Sequence, residues 1–179
     1  LIFMFMLIKI DSIYDLISLI SLFANLYFMF SMDIVLIIGC MFCILLHNIF
    51  KEITYGWFPP IFKRPNGATD CNLFNTGGLV DHKSGFPSGH VTAISFLMSS
   101  LLLRHDDLDF KNIIQYNIPV LLVAYARIMK GCHNLIQVAA GYLLGYSVAY
   151  MLHIYKREVT ITIDEIKTYI SDKISQYIR

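Results

Sequence analysis

Five long apolar runs follow one another along this chain, with short polar stretches between them. The runs cover Ile13–Ser31, Ile34–Phe50, Val91–Leu103, Ile113–Met129 and Leu135–Tyr155, and residues 1–9 form a sixth candidate. A helix needs about 20 predominantly apolar residues to cross a bilayer. The pattern therefore predicts an all-α fold, a polytopic membrane helix bundle of five to six spans.

The pattern changes after Tyr155, where charged residues alternate with isoleucines at helical spacing. Thr162 and Glu165 have the spacing of a capping box, which predicts that a separate helix starts at Thr162. Such an amphipathic C-terminal helix is expected to lie on the membrane or against the bundle. We therefore divide the chain into a membrane domain, residues 1–155, and an amphipathic tail, residues 156–179.

Composition agrees with a membrane protein and excludes some partners. Of the 179 residues, 56% are hydrophobic and 15% are charged, below the roughly 25% charge of a soluble domain. A net charge of +1 gives no basic surface for nucleic acid. Four cysteines are too few and too scattered for a disulfide framework, and Cys40 and Cys43 lie in an apolar run where a packing role is expected.

The polar loop at residues 51–87 is the longest interruption of the apolar pattern. If each run crosses the membrane once, this loop shares a face with the turn at residues 127–133, while the loop at residues 104–111 and the tail lie on the opposite face. Two arginines, two histidines and a serine–glycine pair then meet at one surface. They are Arg64, Ser88, Gly89, His90, Arg127 and His133.

These residue types suit a phosphate. The two arginines offer planar forks for phosphate oxygens, and the backbone N–H groups of Ser88 and Gly89 lie where a helix is expected to begin. Of two imidazoles, one can attack phosphorus while the other donates a proton to the leaving oxygen. Taken singly, arginines at span ends are often interfacial anchors and lone histidines are often structural. The second interpretation is applied to His47, His82, His105 and His153.

Three motifs resemble, in order, the signatures of the type 2 phosphatidic acid phosphatase superfamily. They are Arg64-Pro65, the PSGH element at residues 87–90, and Arg127 followed by His133, and together they cover residues 50–146. The resemblance implies about six membrane helices and hydrolysis of a phosphomonoester or diphosphate on a lipid, with no metal and no cofactor.

The resemblance also implies a role for each matching residue. His133 would be the nucleophile that forms a phosphohistidine, and His90 would be the general acid for the leaving group. Phosphoryl oxygens would be bound by a third set of residues, Arg64, Ser88, Gly89 and Arg127.

Two positions depart from the family pattern. The lysine normally found seven residues before the arginine is Trp57 here, and Lys51 or Lys63 is a candidate replacement. The aspartate normally found four residues after the nucleophile is Gln137, which at one helical turn could accept the His133 N–H and fix its tautomer, without a charge. Gln137 has an alternative interpretation as a polar residue that packs between helices.

Gln137 and the following VAAG resemble the dolichyl diphosphatase branch of the superfamily, which acts on polyprenyl diphosphates, whereas the loop after Arg64 does not follow that branch. The expected substrate is therefore a (poly)prenyl diphosphate or a phosphatidate-type lipid. The alternative function is a catalytically weak or inactive relative that binds a lipid phosphate or acts as a scaffold.

Location and association are predicted from the last span. Lys156 and Arg157 follow it directly, which predicts a cytoplasmic tail and a lumenal or extracytoplasmic active face. Gly141 and Gly145 form a small-xxx-small pair, for which close helix packing within the bundle is expected rather than a dimer face. The oligomeric state is left open.

Overall fold

The computed structural model describes residues 8–56, 60–105 and 109–178. Six α-helices occur in these residues: α1 Ile13–Ser18, α2 Ile20–Phe30, α3 Ile34–Gly56, α4 Gly89–Leu102, α5 Phe110–Met129 and α6 Leu135–Ile178. Extended pairing in the described part is limited to two isolated bridges, Lys63 with Ser84 and Thr69 with Leu79. The predicted all-α helix bundle is confirmed.

Three helical stretches are long and apolar enough to cross a membrane. They are Ile13–Phe30, which joins α1 and α2, Ile34–Tyr55 in α3, and Leu135–Lys156 in α6. Helix α4 is apolar but shorter. The chain thus has the character of a membrane protein. The count of five to six spans stays a prediction, because the predicted spans at residues 91–103 and 113–129 are not among the three and residues 1–7 lie outside the described residues.

Helix α4 lies at the centre of the bundle and contacts α2, α3, α5 and α6. Its Val91, Ile94 and Phe96 are almost completely buried. A Cβ atom added to Gly141 would lie 2.6 Å from the Ser88 carbonyl oxygen, and one added to Gly145 would lie 2.5 Å from the Thr92 carbonyl oxygen. The two glycines therefore let α6 approach the backbone of α4, as predicted.

Helix α6 is one continuous helix of 44 residues. At 1.5 Å per residue it is about 66 Å long, roughly twice the thickness of the bilayer core. The prediction that a separate helix starts at Thr162 is wrong, since the Thr162 hydroxyl donates to the Glu158 carbonyl oxygen at 2.9 Å inside the helix. Division of the chain at residue 155 stays a prediction.

The two ends of the bundle carry different connections. At one end, Arg104 forms a salt bridge with Asp33. At the other end, a disulfide joins Cys71 of the long loop to Cys132 of the α5–α6 turn, 61 residues away. Scattered cysteines were expected to form no framework, yet this pair is bridged because the fold brings its two segments together.

The free cysteines Cys40 and Cys43 lie within α3. Cys43 belongs to the buried apolar core, and Cys40 packs against that core. The packing role predicted for this pair is confirmed.

Candidate active site

His133 lies just before α6, one turn from Gln137. The side-chain nitrogen Nε2 of Gln137 donates to the carbonyl oxygens of Ile61, at 2.9 Å, and Lys63, at 2.7 Å. These bonds orient the amide so that its oxygen Oε1 faces His133 Nδ1 at 3.1 Å. Because that oxygen only accepts, the proton of neutral His133 belongs on Nδ1, and Nε2 keeps its lone pair.

Gln137 therefore makes the contact with His133 that its spacing predicted, and its other bonds go to the long loop rather than to a neighbouring helix. It touches the predicted nucleophile, and it binds the long loop to α6. Its effect on catalysis stays a prediction.

Arg64 lies beside the free nitrogen of His133. Its Nη1 donates to the Cys132 carbonyl oxygen at 3.0 Å and is 3.4 Å from His133 Nε2. Burial lowers the pKa of Arg64. Burial, followed by the positive charges of Arg64 and Arg127, lowers the pKa of His133 well below its ordinary value. The imidazole is therefore neutral at pH 7 and keeps an unprotonated Nε2.

His90 is in the first turn of α4 and lines the same cavity as His133. Its Nε2 atom is buried and has no hydrogen-bond partner among the described residues. The two predicted catalytic histidines thus face one space, His90 from the first turn of α4 and His133 from the turn that precedes α6.

Ser88 and Gly89 precede and begin α4. The backbone N–H of Ser88 donates to the Gln137 carbonyl oxygen at 2.9 Å, so it is not available to an anion as the sequence suggested. The Ser88 hydroxyl is buried without a hydrogen-bond partner in the described part of the chain. Of the pair, Gly89 offers a backbone donor and Ser88 offers a side-chain donor.

Arg127, in the last turn of α5, is fully buried. Its Nη2 donates to the Cys71 carbonyl oxygen at 2.7 Å, and its Nη1 is 3.4 Å from the Ser18 hydroxyl. Arg127 is behind the wall of the cavity rather than among its lining residues. Its role as a phosphate ligand stays a prediction.

Both predicted phosphate-binding arginines therefore donate to carbonyl oxygens of the bridged cysteines, Arg64 to Cys132 and Arg127 to Cys71. The disulfide links the segments that hold these two side chains. Sequence reasoning missed this bridge, and no local motif pointed to it.

A buried ion pair supports the same region. Asp15, a charge early in the first span with no predicted role, pairs with Lys130. Lys130 also donates to the Asn75 side-chain oxygen at 2.8 Å and to the Asp70 carbonyl oxygen at 2.9 Å. This network fastens the long loop and the α5–α6 turn to α1.

The site opens into a cavity of about 850 Å³ between α3 and α4. Its polar end contains His47, Lys51, Arg64, His90 and His133. Its other end is lined by apolar and sulfur-containing side chains, which include Phe28, Cys40, Cys43, Ile44 and Phe96. Along α3, the lining thus changes from charged residues, which include Lys51 and the carboxylate of Glu52, to apolar and sulfur-containing ones.

His47 and Lys51 also line the cavity, although the sequence indicated a structural role for His47 and made Lys51 only a candidate replacement for the family lysine. Helix α3 continues to Gly56 rather than ending at Phe50, so Lys51 belongs to a helix instead of the loop. The candidate replacement Lys63 is exposed and does not line the cavity, and Trp57 lies outside the described residues. A Cβ atom on Gly89 would lie 2.7 Å from His47 Nε2, so glycine is what allows this imidazole to enter the site.

Buried polar atoms without partners gather at this site. Among the described residues, such atoms include His47 Nε2, Arg64 Nε, Ser88 Oγ, His90 Nε2 and Arg127 Nε. Buried polar groups are nearly always hydrogen-bonded in native proteins, so a cluster of this kind calls for a ligand. Three of these atoms, on His47, Arg64 and His90, belong to residues that line the cavity, and each can donate a hydrogen bond to an oxygen-rich anion such as a phosphate.

Comparison with known proteins identifies a family. The family described as the PAP2 superfamily matches residues 25–161, which is more than half of the chain and includes every residue of the predicted site. Neither a curated protein nor a solved structure gives a significant match.

Proposed function

The chain belongs to the PAP2 superfamily, and from this premise we propose that it is a membrane phosphatase that hydrolyses a lipid phosphate or diphosphate through a phosphohistidine. Membership of the family supports phosphatase activity on lipid-like phosphates. The observation that carries the finer proposal is the cluster of unpartnered buried donors around His90 and His133.

In the first step, the lone pair of His133 Nε2 attacks phosphorus. An N–P bond forms and the bond between phosphorus and the lipid oxygen breaks. His90 enters this step as imidazolium, a form that the negative charge of the bound phosphate favours, and gives its proton to that oxygen. Arg64, 3.4 Å from the attacking nitrogen, is placed to bind the phosphoryl oxygens as charge develops on them. Gln137 holds the attacking imidazole in the required tautomer.

In the second step, water attacks the phosphohistidine. The N–P bond breaks, inorganic phosphate leaves, and His90, now neutral, takes the proton that the water loses. The enzyme returns to its starting state without an oxidant, a reductant or a co-substrate other than water.

The shape of the cavity favours a lipid substrate. A phosphate held at His133 places the rest of the molecule along α3, toward Ile44, Cys43 and Cys40. An apolar tail in that position would be removed from water at roughly 25 cal/mol per Å².

Two further properties belong to the proposal. The ligand set for phosphate is made of arginines, histidines and hydroxyl or amide donors, which can act without a metal.

The disulfide between Cys71 and Cys132 supports an oxidising compartment for the active face, because such bonds persist outside the cytosol. The disulfide thus supports the proposal of a lumenal or extracytoplasmic site.

The test is phosphate release by detergent-purified protein in EDTA, from a polyprenyl diphosphate, phosphatidic acid and a diacylglycerol diphosphate. We expect release, reduced about a thousandfold or more by His133→Ala. His153→Ala is the matched control, since this exposed histidine lies in α6 away from the cavity. Absence of release from folded wild-type protein would instead support the inactive relative.

A further inference from the structure

His47 and Lys51 form a second cationic element of the cavity. They lie four residues apart on α3, so both side chains project from one face of the helix, and both line the cavity. His47 Nε2 is buried with no partner, and Lys51 has no carboxylate or hydrogen-bond acceptor among the described residues. The two chemical steps above assign no role to either residue.

We propose that His47 and Lys51 bind a second phosphate, so that the substrate is a lipid diphosphate cleaved between its two phosphates. This inference rests on the proposed function. The reacting terminal phosphate occupies the site of His133 and Arg64, and the phosphate that stays on the lipid occupies the site of His47 and Lys51, named here the α3 subsite.

The order of residues along α3 supports this arrangement. From the polar end, Lys51 is followed one turn later by His47, and then by Ile44, Cys43 and Cys40 on the cavity wall. One turn advances about 5.4 Å along the helix. A lipid whose terminal phosphate reaches His133 therefore passes the α3 subsite before its tail reaches apolar side chains.

A lipid monophosphate would bind weakly at the α3 subsite. Its ester oxygen and first carbon atoms would face His47 and Lys51, which would leave buried donors without a strong acceptor. Such unpaired groups in a binding site disfavour the ligand that lacks the matching atoms. A second phosphate supplies ionised oxygens at that level.

The charges around the site also favour a diphosphate. Lys51, Arg64 and Lys83 line the cavity together with one carboxylate, Glu52, and the buried Arg127 lies outside that lining. These groups together leave an excess of three cations at the site. A terminal phosphate carries about −1.5 to −2 at pH 7. A diphosphate adds a further ionised oxygen and so balances the third cation.

The reaction stays balanced with this substrate. Attack by His133 forms the N–P bond and breaks the bond from the terminal phosphorus to the bridging oxygen. That oxygen leaves with the lipid monophosphate and receives the proton of His90. Water then releases inorganic phosphate from His133.

The kinetic test compares farnesyl diphosphate with farnesyl monophosphate, which share one tail. We expect Lys51→Met and His47→Gln to lower kcat/KM about 10- to 100-fold for the diphosphate, and by less than about threefold for the monophosphate. Lys111→Met, which removes an exposed lysine in α5, is the matched control and should change neither. Equal losses on both substrates would place Lys51 on the reacting phosphate and overturn the proposal.

A binding test does not depend on turnover. Wild-type protein should be stabilised against thermal unfolding by lower concentrations of inorganic pyrophosphate than of inorganic phosphate. Lys51→Met should remove that difference, and His47→Gln decides the matter if Lys51→Met does not fold. If the wild type hydrolyses no lipid, the proposed function fails, but this binding test still decides whether the α3 subsite exists. Equal stabilisation of the wild type by pyrophosphate and phosphate would refute the α3 subsite.

Discussion

Replacing Gln137 by glutamate tests the hydrogen bonds that hold the predicted nucleophile. The family pattern has a carboxylate here, so Gln137→Glu restores a charge that could stabilise imidazolium. In this chain, however, the Gln137 amide nitrogen donates to two buried carbonyl oxygens, of Ile61 and Lys63, at 2.9 and 2.7 Å. A carboxylate oxygen in the same place would face two acceptors.

The size of the effect follows from those two bonds. Each buried acceptor left without a donor costs about 1–3 kcal/mol, so Gln137→Glu should lower the free energy of unfolding by about 2–6 kcal/mol. The substitution hardly changes side-chain volume, so no cavity adds to this. For a chain of this length, the unfolding midpoint should fall by about 4–24 °C.

The effect should depend on pH in a defined direction. When the introduced carboxyl group is protonated, it keeps one O–H donor for a carbonyl oxygen, whereas the carboxylate keeps none. The loss relative to wild type should therefore be smaller at about pH 5 than at about pH 8.

Thermal unfolding in detergent, followed by circular dichroism at both pH values, measures this, and phosphate release should fall with it. Gln115→Glu is the control, because Gln115 is exposed on α5 and surface substitutions usually change stability by about 0.5 kcal/mol or less. A Gln137→Glu protein as stable as wild type at both pH values would refute the reasoning.

Three more variants or treatments probe the site. Gly89→Ala should destabilise the protein by about 1–3 kcal/mol, because the new methyl group would contact the His47 imidazole too closely. In the double variant, His47→Ala should restore part of the lost stability. Thermal unfolding measures both effects. Since the pKa of His133 is lowered, kcat/KM of the wild type should fall on acidification only at a pH below 6.5. Arg64→Gln removes a positive charge beside His133, so in this variant the same fall should occur at higher pH. A pH profile that Arg64→Gln leaves unchanged would contradict this. Reducing the disulfide with dithiothreitol should lower the free energy of unfolding by about 2–5 kcal/mol and should also lower phosphate release. The variant in which both cysteines are replaced by serine is the control, because dithiothreitol should not affect it.

Several elements of the fold were predictable from local pattern. Apolar runs of 13 to 21 residues predicted the helices. The spacing of four residues between His133 and Gln137 predicted their contact, since one helical turn brings such side chains together. The glycines on α6 likewise predicted a close approach between helices. In each case the signal and its structural consequence lie within a few residues.

The missed features depend on distant segments. The end of α3 was placed at Phe50 because hydropathy falls there, although the helix continues and carries Lys51 into the cavity. His47 was interpreted as structural, since nothing in its neighbours shows that α3 faces the start of α4. The break expected at Thr162 relied on a capping pattern that an established helix overrides. Such features require the arrangement of the helices, which no single window of sequence contains.

The bridge between Cys71 and Cys132 bears on when the site forms during biosynthesis. Both arginines of the site donate to carbonyl oxygens of the bridged residues, so closing the bridge joins the two halves of the phosphate site. A nascent chain carries reduced thiols while it is synthesised and inserted, and oxidation follows in the compartment that receives the loop. We therefore expect maturation of the proposed site to be coupled to delivery: a reduced chain still on the ribosome would not act on lipid phosphates, and competence would be acquired at the destination.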